Sequence, residues 1–332
     1  MTPAALLGHS GPKSWARRAG IAKLAFGTKL GVSLIGDSRV VLKRGLTRGL
    51  RGKVQLVFTS PPFPLNRKKK YGNREGEEFK GWLASYAVLL RTLLKRDGSI
   101  VLEMGNAWEP GRPVMSTLAI ESLLAFKKAG DLFLCQEFIW YNPAKLPSPA
   151  QWVNVDRVRV KDAFTRLWWM SPNPQPKADN RRVLTPYSTT MQALLARRKY
   201  NAGPRPSEHV IGQTSFLSNN GGAIPPNVLH VDEMEPENVL AGSNTSSSDE
   251  YQRYCKRMGH TVHPARMPIG IAKFFISLCT DPGDLVIDPF GGSNTTGAAA
   301  EQLDRRWISV EADPKYAESG IGRFPDALKG GS

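Results

Sequence analysis

One stretch limits the architecture of this chain more than any other. Leu285 to Phe290 is a short apolar run that breaks into Gly291-Gly292-Ser293-Asn294-Thr295-Thr296-Gly297. Small residues from Ala298 to Leu303 follow, then a second apolar run, Trp307-Ile308-Ser309-Val310-Glu311. Short apolar runs bounded by turn residues read as buried strands. Strand, glycine loop and helix N-terminus in succession give the geometry of dinucleotide sites, because glycines let the backbone approach a ligand closely. Glu311 ends the second strand about 20 residues after the first glycine, where an acid can hold a ribose hydroxyl. No Gly-Lys-Ser/Thr closes the loop, so it is not a phosphate-binding P-loop. Asp288 opens it instead. A carboxylate there repels a pyrophosphate and suits a cofactor with a cationic amino-acid group and a ribose. S-adenosylmethionine has both.

A second buried run, Val54 to Phe58, stops at Thr59-Ser60-Pro61-Pro62-Phe63. Prolines fix φ and cannot donate to a sheet ladder, so the strand ends in a stiff polar tip. Ser60 offers a hydroxyl, Pro61 a carbonyl and Phe63 a ring face, which together suit an exocyclic amine on a flat ring. Taken alone, a Ser-Pro-Pro is more often a plain turn. Gly31 to Ile35 reads as another strand, with Gly36-Asp37-Ser38 at its end. Phe79, Trp82, Leu83, Tyr86, Leu90 and Leu93 recur at helical spacing and predict an amphipathic helix over 77–95, its aromatics in the core. A strand from Ser99 to Met104, a helix over 114–129 and a strand over 133–141 follow. This alternation predicts an α/β fold with a doubly wound, largely parallel, Rossmann-like sheet. A further helix is expected over 268–280.

Between Asn142 and about 225 the alternation breaks down. Lys145, Arg157, Arg159, Lys161, Arg166, Lys177, Arg181, Arg182, Arg197, Arg198 and Lys199 outnumber Asp156, Asp162 and Asp179, with Trp152, Trp168, Trp169 and Tyr187 interleaved. A basic, aromatic, irregular insertion is the footprint of a DNA-reading region. Trp168 and Trp169 are expected in a small satellite core. The loop over 241–250 is polar and of low complexity, and a mobile loop is expected there. The formal charge of +16 on 332 residues points to a polyanionic partner. No run is long enough for a bilayer span, and no membrane partner is expected. Cys135, Cys255 and Cys279 are widely separated, which suits a reducing cytoplasm and predicts no metal site.

Thr59-Ser60-Pro61-Pro62-Phe63 resembles the catalytic motif of DNA amino-methyltransferases, and Asp288 to Gly297 resembles their S-adenosylmethionine motif. The catalytic motif precedes the cofactor motif, as in their beta class, whose order is permuted. Gly36-Asp37-Ser38 ahead of both resembles the PvuII-type cytosine-N4 enzymes. So do Arg67 to Asn73, Lys145 to Pro149, Arg159 to Ala163 and His263-Pro264-Ala265-Arg266. The resemblance spans about 31–324. It implies a methyltransferase domain from 29–141 and 250–324 and a target-recognition region over 142–249, while residues 1–28, outside it, are basic and Gly-punctuated and are expected to form a loosely held arm. It implies that Ser60, Pro61 and Pro62 bind the target amine while Phe63 stacks on a flipped base. Asp288, Phe290, Gly291, Gly292, Ser293 and Thr295 would line the methionine end of the cofactor. Glu311 would take the ribose, Asp37 the adenine edge, and Pro264 would close the methionine side. Glu103 stands where relatives often carry Asp.

The implied activity is methylation of cytosine N4 in a short duplex site, CAGCTG if the likeness extends to specificity. The implied setting is a prokaryotic cytoplasm, with double-stranded DNA as partner, a restriction endonuclease as functional counterpart, and a monomer or weak dimer. A covalent ring-carbon route needs a cysteine, usually after proline, and none of the three follows one. Two rivals stay open. An adenine-N6 methyltransferase would share the geometry but usually carries Asp or Asn in place of Ser60. A catalytically silent DNA-binding relative would keep the fold without the chemistry.

Overall fold

The computed structural model describes residues 22–62, 76–230 and 250–325. Residues 1–21 of the expected arm, Phe63, the basic loop 66–73 and residues 241–249 of the polar loop lie outside these residues.

The chain opens with β1 (Lys23–Gly27) and β2 (Gly31–Ile35), passes through a helical stretch over 38–50, and enters β3 (Val54–Thr59). Helix α1 (Gly76–Leu93) leads to β4 (Leu94–Met104), and α2 (Leu118–Gly130) leads to β5 (Phe133–Tyr141) and β6 (Phe164–Ser171). Then come α3 (Thr189–Arg197), the short strands β7 (Gly203–Pro204) and β8 (Val210–Ile211), β9 (Val228–His230) and α4 (Glu250–Met258). The final run is α5 (Ile269–Cys279), β10 (Leu285–Asp288), α6 (Thr295–Gln302), β11 (Arg306–Glu311) and α7 (Pro314–Ser319).

Nine strands form one sheet in the order β1-β2-β11-β10-β3-β4-β6-β5-β9. The central run β2-β11-β10-β3-β4 is parallel throughout. Every residue of β2, β3 and β10 is buried, as expected of parallel strands covered on both faces. Successive side chains of β3 serve opposite layers. Val57 joins the core with Leu83, Leu90 and Phe126 of α1 and α2. Phe58 stacks on Phe275 of α5, with ring centroids 5.6 Å apart. Helices therefore cover both faces, as in a doubly wound fold. Among the described residues no helix is long and apolar enough to cross a membrane.

Three expectations are corrected. The stretch 1–28, read as a loosely held arm, contains β1, an edge strand paired antiparallel with β2. The stretch 142–225, read as irregular, contains β6, which lies inside the main sheet between β4 and β5. Trp168 and Trp169 lie on β6, and Trp168 belongs to the central core rather than to a satellite one. Trp169 donates its indole N–H to Ser99 Oγ at 2.8 Å. Pattern reading missed β6 because Arg166, Trp168 and Trp169 look like a basic aromatic surface. The chain divides into two compact units, and Asp179–Pro226 is the smaller. That unit holds α3, which is capped by the Ser188 hydroxyl, the β7–β8 hairpin, and a Tyr200–Phe216 edge contact at 5.3 Å.

Candidate active site

Parallel neighbours end at the same edge of a sheet, so β2, β11, β10, β3 and β4 present their final residues in a row. Those residues are Gly36-Asp37, Glu311, Asp288 with the glycine loop, Ser60, and Glu103. The helix after β3 lies on the Val57 face, while the helix after β10 packs against α5 on the Phe58 face. Chain direction thus reverses between β3 and β10, the switch point at whose strand ends α/β sheets bind ligands.

Asp288 joins the two motifs at that point. Its Oδ1 accepts from Thr59 Oγ1 at 2.6 Å and from the Phe290 N–H at 3.0 Å, and its Oδ2 accepts from Thr296 Oγ1 at 2.7 Å. Burial raises its pKa, and the bonds from Thr59, Thr296 and Phe290 pull back against that rise. The Phe290 ring packs on Tyr86 and Trp82 of α1, at centroid distances of 4.9 and 5.5 Å.

The glycine loop lies flat on β11. The Gly291 N–H donates to the Val310 carbonyl at 2.9 Å, and a Cβ on Gly291 would fall 1.9 Å from Ser309 Oγ. Gly292 sits at φ +50°, and its N–H donates to Glu311 Oε2 at 2.8 Å. Glu311 Oε1 accepts from the Asp313 N–H at 2.9 Å. Burial raises the Glu311 pKa, the Asp313 and Gly292 amides lower it, and nearby Asp288 raises it further. Ser293 is held by Arg323, whose Nε donates to the Ser293 carbonyl at 2.9 Å and whose Nη2 donates to its hydroxyl at 3.0 Å. Ser293 Oγ and Thr295 Oγ1 are 3.4 Å apart. Asp37 caps the helical stretch that follows β2, accepting from the Arg39 N–H at 2.9 Å and from Arg39 Nη2 at 3.2 Å. Burial opposes ionisation of Asp37, but Arg39 holds its carboxyl below the usual range. Pro264 is exposed. Its neighbour His263 faces the loop, its Nε2 3.1 Å from where a Gly292 Cβ would stand.

At the far end of the row, Ser60 is half-buried, Pro61 buried and Pro62 half-buried. The Ser60 hydroxyl is hydrogen-bonded to Glu103, the residue before the last of β4, which is 6% exposed. Burial drives the Glu103 pKa up to about 7, and Asp288 adds to the rise. The Ser60 bond and the charge of Lys145 work against it. Lys145 is fixed in turn, its Nζ donating to Asp162 Oδ2 at 2.9 Å and to the Phe164 carbonyl at 3.3 Å. Asn106 Nδ2 donates to Asp162 Oδ1 at 2.8 Å.

The structure thus gathers Ser60, Pro61, Pro62, Asp288, Phe290, Gly291, Gly292, Ser293, Thr295, Glu311 and Asp37 along one edge. Thr59, Thr296, Glu103, Lys145, His263 and Arg323 join them, and sequence reasoning had assigned none of these six to the site individually. Thr59, Thr296, His263 and Lys145 stood inside the quoted motifs, Lys145 also among the cations read as DNA-contacting, and Glu103 was visible as a departure from a pattern. Arg323 carried no local signal.

A doubly wound sheet with a Ser-Pro-Pro tip and a glycine loop clasped at its switch point defines a class, and comparison gives it a name. The chain belongs to the N6/N4 methyltransferase family of DNA methylases, whose pattern matches residues 54–321. The type II methyltransferase M.PvuII of Proteus hauseri is 43% identical over 306 residues, 92% of this chain and 86% of that one. The solved PvuII DNA methyltransferase (cytosine-N4-specific) superposes with a TM-score of 0.70 at 38% identity, covering 92% of this chain and 89% of that one. A Thermus thermophilus protein crystallised with S-adenosyl-L-methionine shares the fold, with a TM-score of 0.50 at 18% identity, over 89% of this chain and 95% of that one.

Proposed function

We propose that this DNA methyltransferase moves a methyl group from S-adenosylmethionine to the exocyclic N4 amine of a cytosine flipped out of duplex DNA. The observation that carries the reading is the Ser60–Glu103 pair at the end of β3, clasped to the glycine loop through Asp288. The resemblance at Ser60 and the relation to a cytosine-N4-specific enzyme support cytosine over adenine.

The residues at the cofactor end fit S-adenosylmethionine. Glu311 offers a carboxylate with acceptor capacity beyond its backbone amide bonds, suited to ribose hydroxyls. Asp288, Ser293 and Thr295 suit the amino-acid end, and Asp37 the adenine edge. The cofactor supplies, when bound, an electrophilic methyl group on a sulfonium. Asp288 does not stand loose for that group, because its carboxylate also holds the two motifs together.

The lone pair of the target amine is delocalised into its ring. Because the Ser60 O–H is spent on Glu103, the lone pairs of its oxygen accept an amine hydrogen, and the Pro61 carbonyl takes the other. Both bonds favour a more tetrahedral nitrogen. A methylated exocyclic amine must lose a proton, and Glu103 accepts it through Ser60. A carboxyl with a pKa near working pH suits that task. Phe63 and the amine contacts offset the few kcal/mol of unstacking.

We further assign the site CAGCTG, target recognition within 142–249, and a role as modification partner of a restriction endonuclease in a prokaryotic cytoplasm. Methylated duplex is digested to nucleosides and the product weighed. N4-methylcytosine is expected, and N6-methyladenine would overturn the chemistry. N4-methylcytosine in another sequence would overturn only the site.

A further inference from the structure

The chain leaves β5 at Tyr141 and returns to β6 at Phe164, two residues that pair directly. The loop between them is closed at its base by the Asn142 N–H, which donates to the Ala163 carbonyl at 2.8 Å. β6 runs antiparallel to β4, with Arg166 opposite Met104, so the loop stands at the edge that carries Ser60 and Glu103. Its base is bound into that site, because Lys145, which acts on Glu103, is tied to Asp162.

The loop is built firmly. The Trp152 carbonyl accepts from the Val158 and Arg159 amides at 2.9 and 3.1 Å, and Trp152 packs on Trp108 at 5.6 Å. Its neck is laced by Lys161 Nζ to the Pro143 carbonyl at 2.6 Å and by the Asp162 N–H to the Ser148 carbonyl at 3.1 Å. Leu146 lies between the two acceptors, Pro143 and Ser148, and Val160 immediately precedes the donor Lys161. Both are thrust into water, 81% and 87% exposed, and Val155 is 67% exposed. Three exposed aliphatics on one hydrogen-bonded loop form a group that a bound partner, rather than the core, can cover. Arg157, Arg159 and Lys161 stand among them and are exposed, with no carboxylate paired to them among the described residues. Aliphatic tips ringed by cations match a duplex opened at one step, with phosphates outside and base faces within. Proteins that open base steps insert apolar side chains in this way.

We propose that the 142–163 loop is a wedge for duplex DNA. Leu146 and Val160 occupy the space left by the flipped cytosine, while Arg157, Arg159 and Lys161 hold the flanking phosphates. The inference rests on the reading of the Ser60 edge as a DNA-methylating site.

The test compares two substrates for the wild type and a Leu146→Ala/Val160→Ala double variant. One is fully paired duplex, and the other has an abasic site opposite the target cytosine, so that little pairing remains to be broken. The variant is expected to lose about tenfold or more in kcat on paired duplex and to recover to within about threefold of wild type on the abasic duplex. Both positions are exposed, so an unchanged melting temperature is the folding control. Equal loss on both substrates, or no loss on either, would overturn the wedge, and no loss would leave the patch to a protein partner. A wild type that methylates neither duplex would overturn the methylating reading itself, an outcome distinct from the other two.

Discussion

Asp288 and Glu103 are two carboxylates with the same 6% exposure, at the ends of strands separated only by β3. Their surroundings differ. Asp288 receives three hydrogen bonds and spends them holding two motifs together. Glu103 has Ser60 and the more distant charge of Lys145, and its pKa rises to about 7. Burial raises the pKa of both carboxyls, and three hydrogen bonds oppose the rise at Asp288 where Ser60 and Lys145 oppose it at Glu103. Equal burial thus serves two structural settings, a clamp tied to three donors at the cofactor end and a sparsely bonded carboxyl at the catalytic end.

The largest effect is expected at the catalytic end. Ser60→Ala removes the link between amine and carboxylate and should lower kcat by about 10² to 10⁴, the range of a positioned proton-transfer group. Phe63→Ala should also cripple turnover. Both should leave S-adenosylmethionine affinity near wild type by calorimetry, since both belong to the base-binding motif, separate in sequence from the glycine loop. Wild-type turnover in both would remove this strand end from the active site.

Asp288→Ala is the opposite experiment. It strands the Thr59 and Thr296 hydroxyls and the Phe290 N–H in a buried site, at about 1–3 kcal/mol for each donor left unmet. A lowered melting temperature together with weakened cofactor binding is expected. Stability unchanged within error would show that the clamp is not one.

The third effect follows from titration of Glu103. Its folded pKa lies above the usual 4.5, so its contribution to stability is complete below 4.5 and is lost as pH rises to about 7. The full span is on the order of 3 kcal/mol. Thermal melts of the wild type should fall across that window, and Glu103→Gln should flatten them. The same substitution should remove an acid limb near pH 7 from the rate profile while lowering the rate. A limb that survives it belongs to another group.

The smallest effect concerns Asp37. Its pair with Arg39 is exposed, and such pairs contribute about 0–1 kcal/mol. Arg39→Ala should barely move the melting temperature. A large drop would mean that the helical stretch after β2 depends on this side-chain pair and not only on the backbone cap to Asp37.

The parallel core was legible because β2, β3, β10 and β11 are short, mostly apolar runs and because glycines, prolines or acids mark their ends. β1 and β6 were not. Edge and antiparallel strands carry polar residues on one side, and Arg166 beside two tryptophans reads as surface. At the site, Ser60, the glycine loop and Glu311 could be found because their spacing is local. Thr59 and Asp288 lie 229 positions apart, so their bond depends on β3 and β10 being neighbours, which periodicity does not encode. The Glu103 pKa depends likewise on what the sheet packs around it.

The strand order has a consequence for synthesis. β2 and β3 are made early, yet in the finished sheet β11 and β10 stand between them. Until the ribosome reaches residue 311, a growing chain holds two parallel strands, each lacking a neighbour, with ladder groups unpaired along both edges. Such edges invite pairing with other chains. A nascent chain therefore needs shelter until its last strands arrive, and methylation can begin only on a chain made past β11.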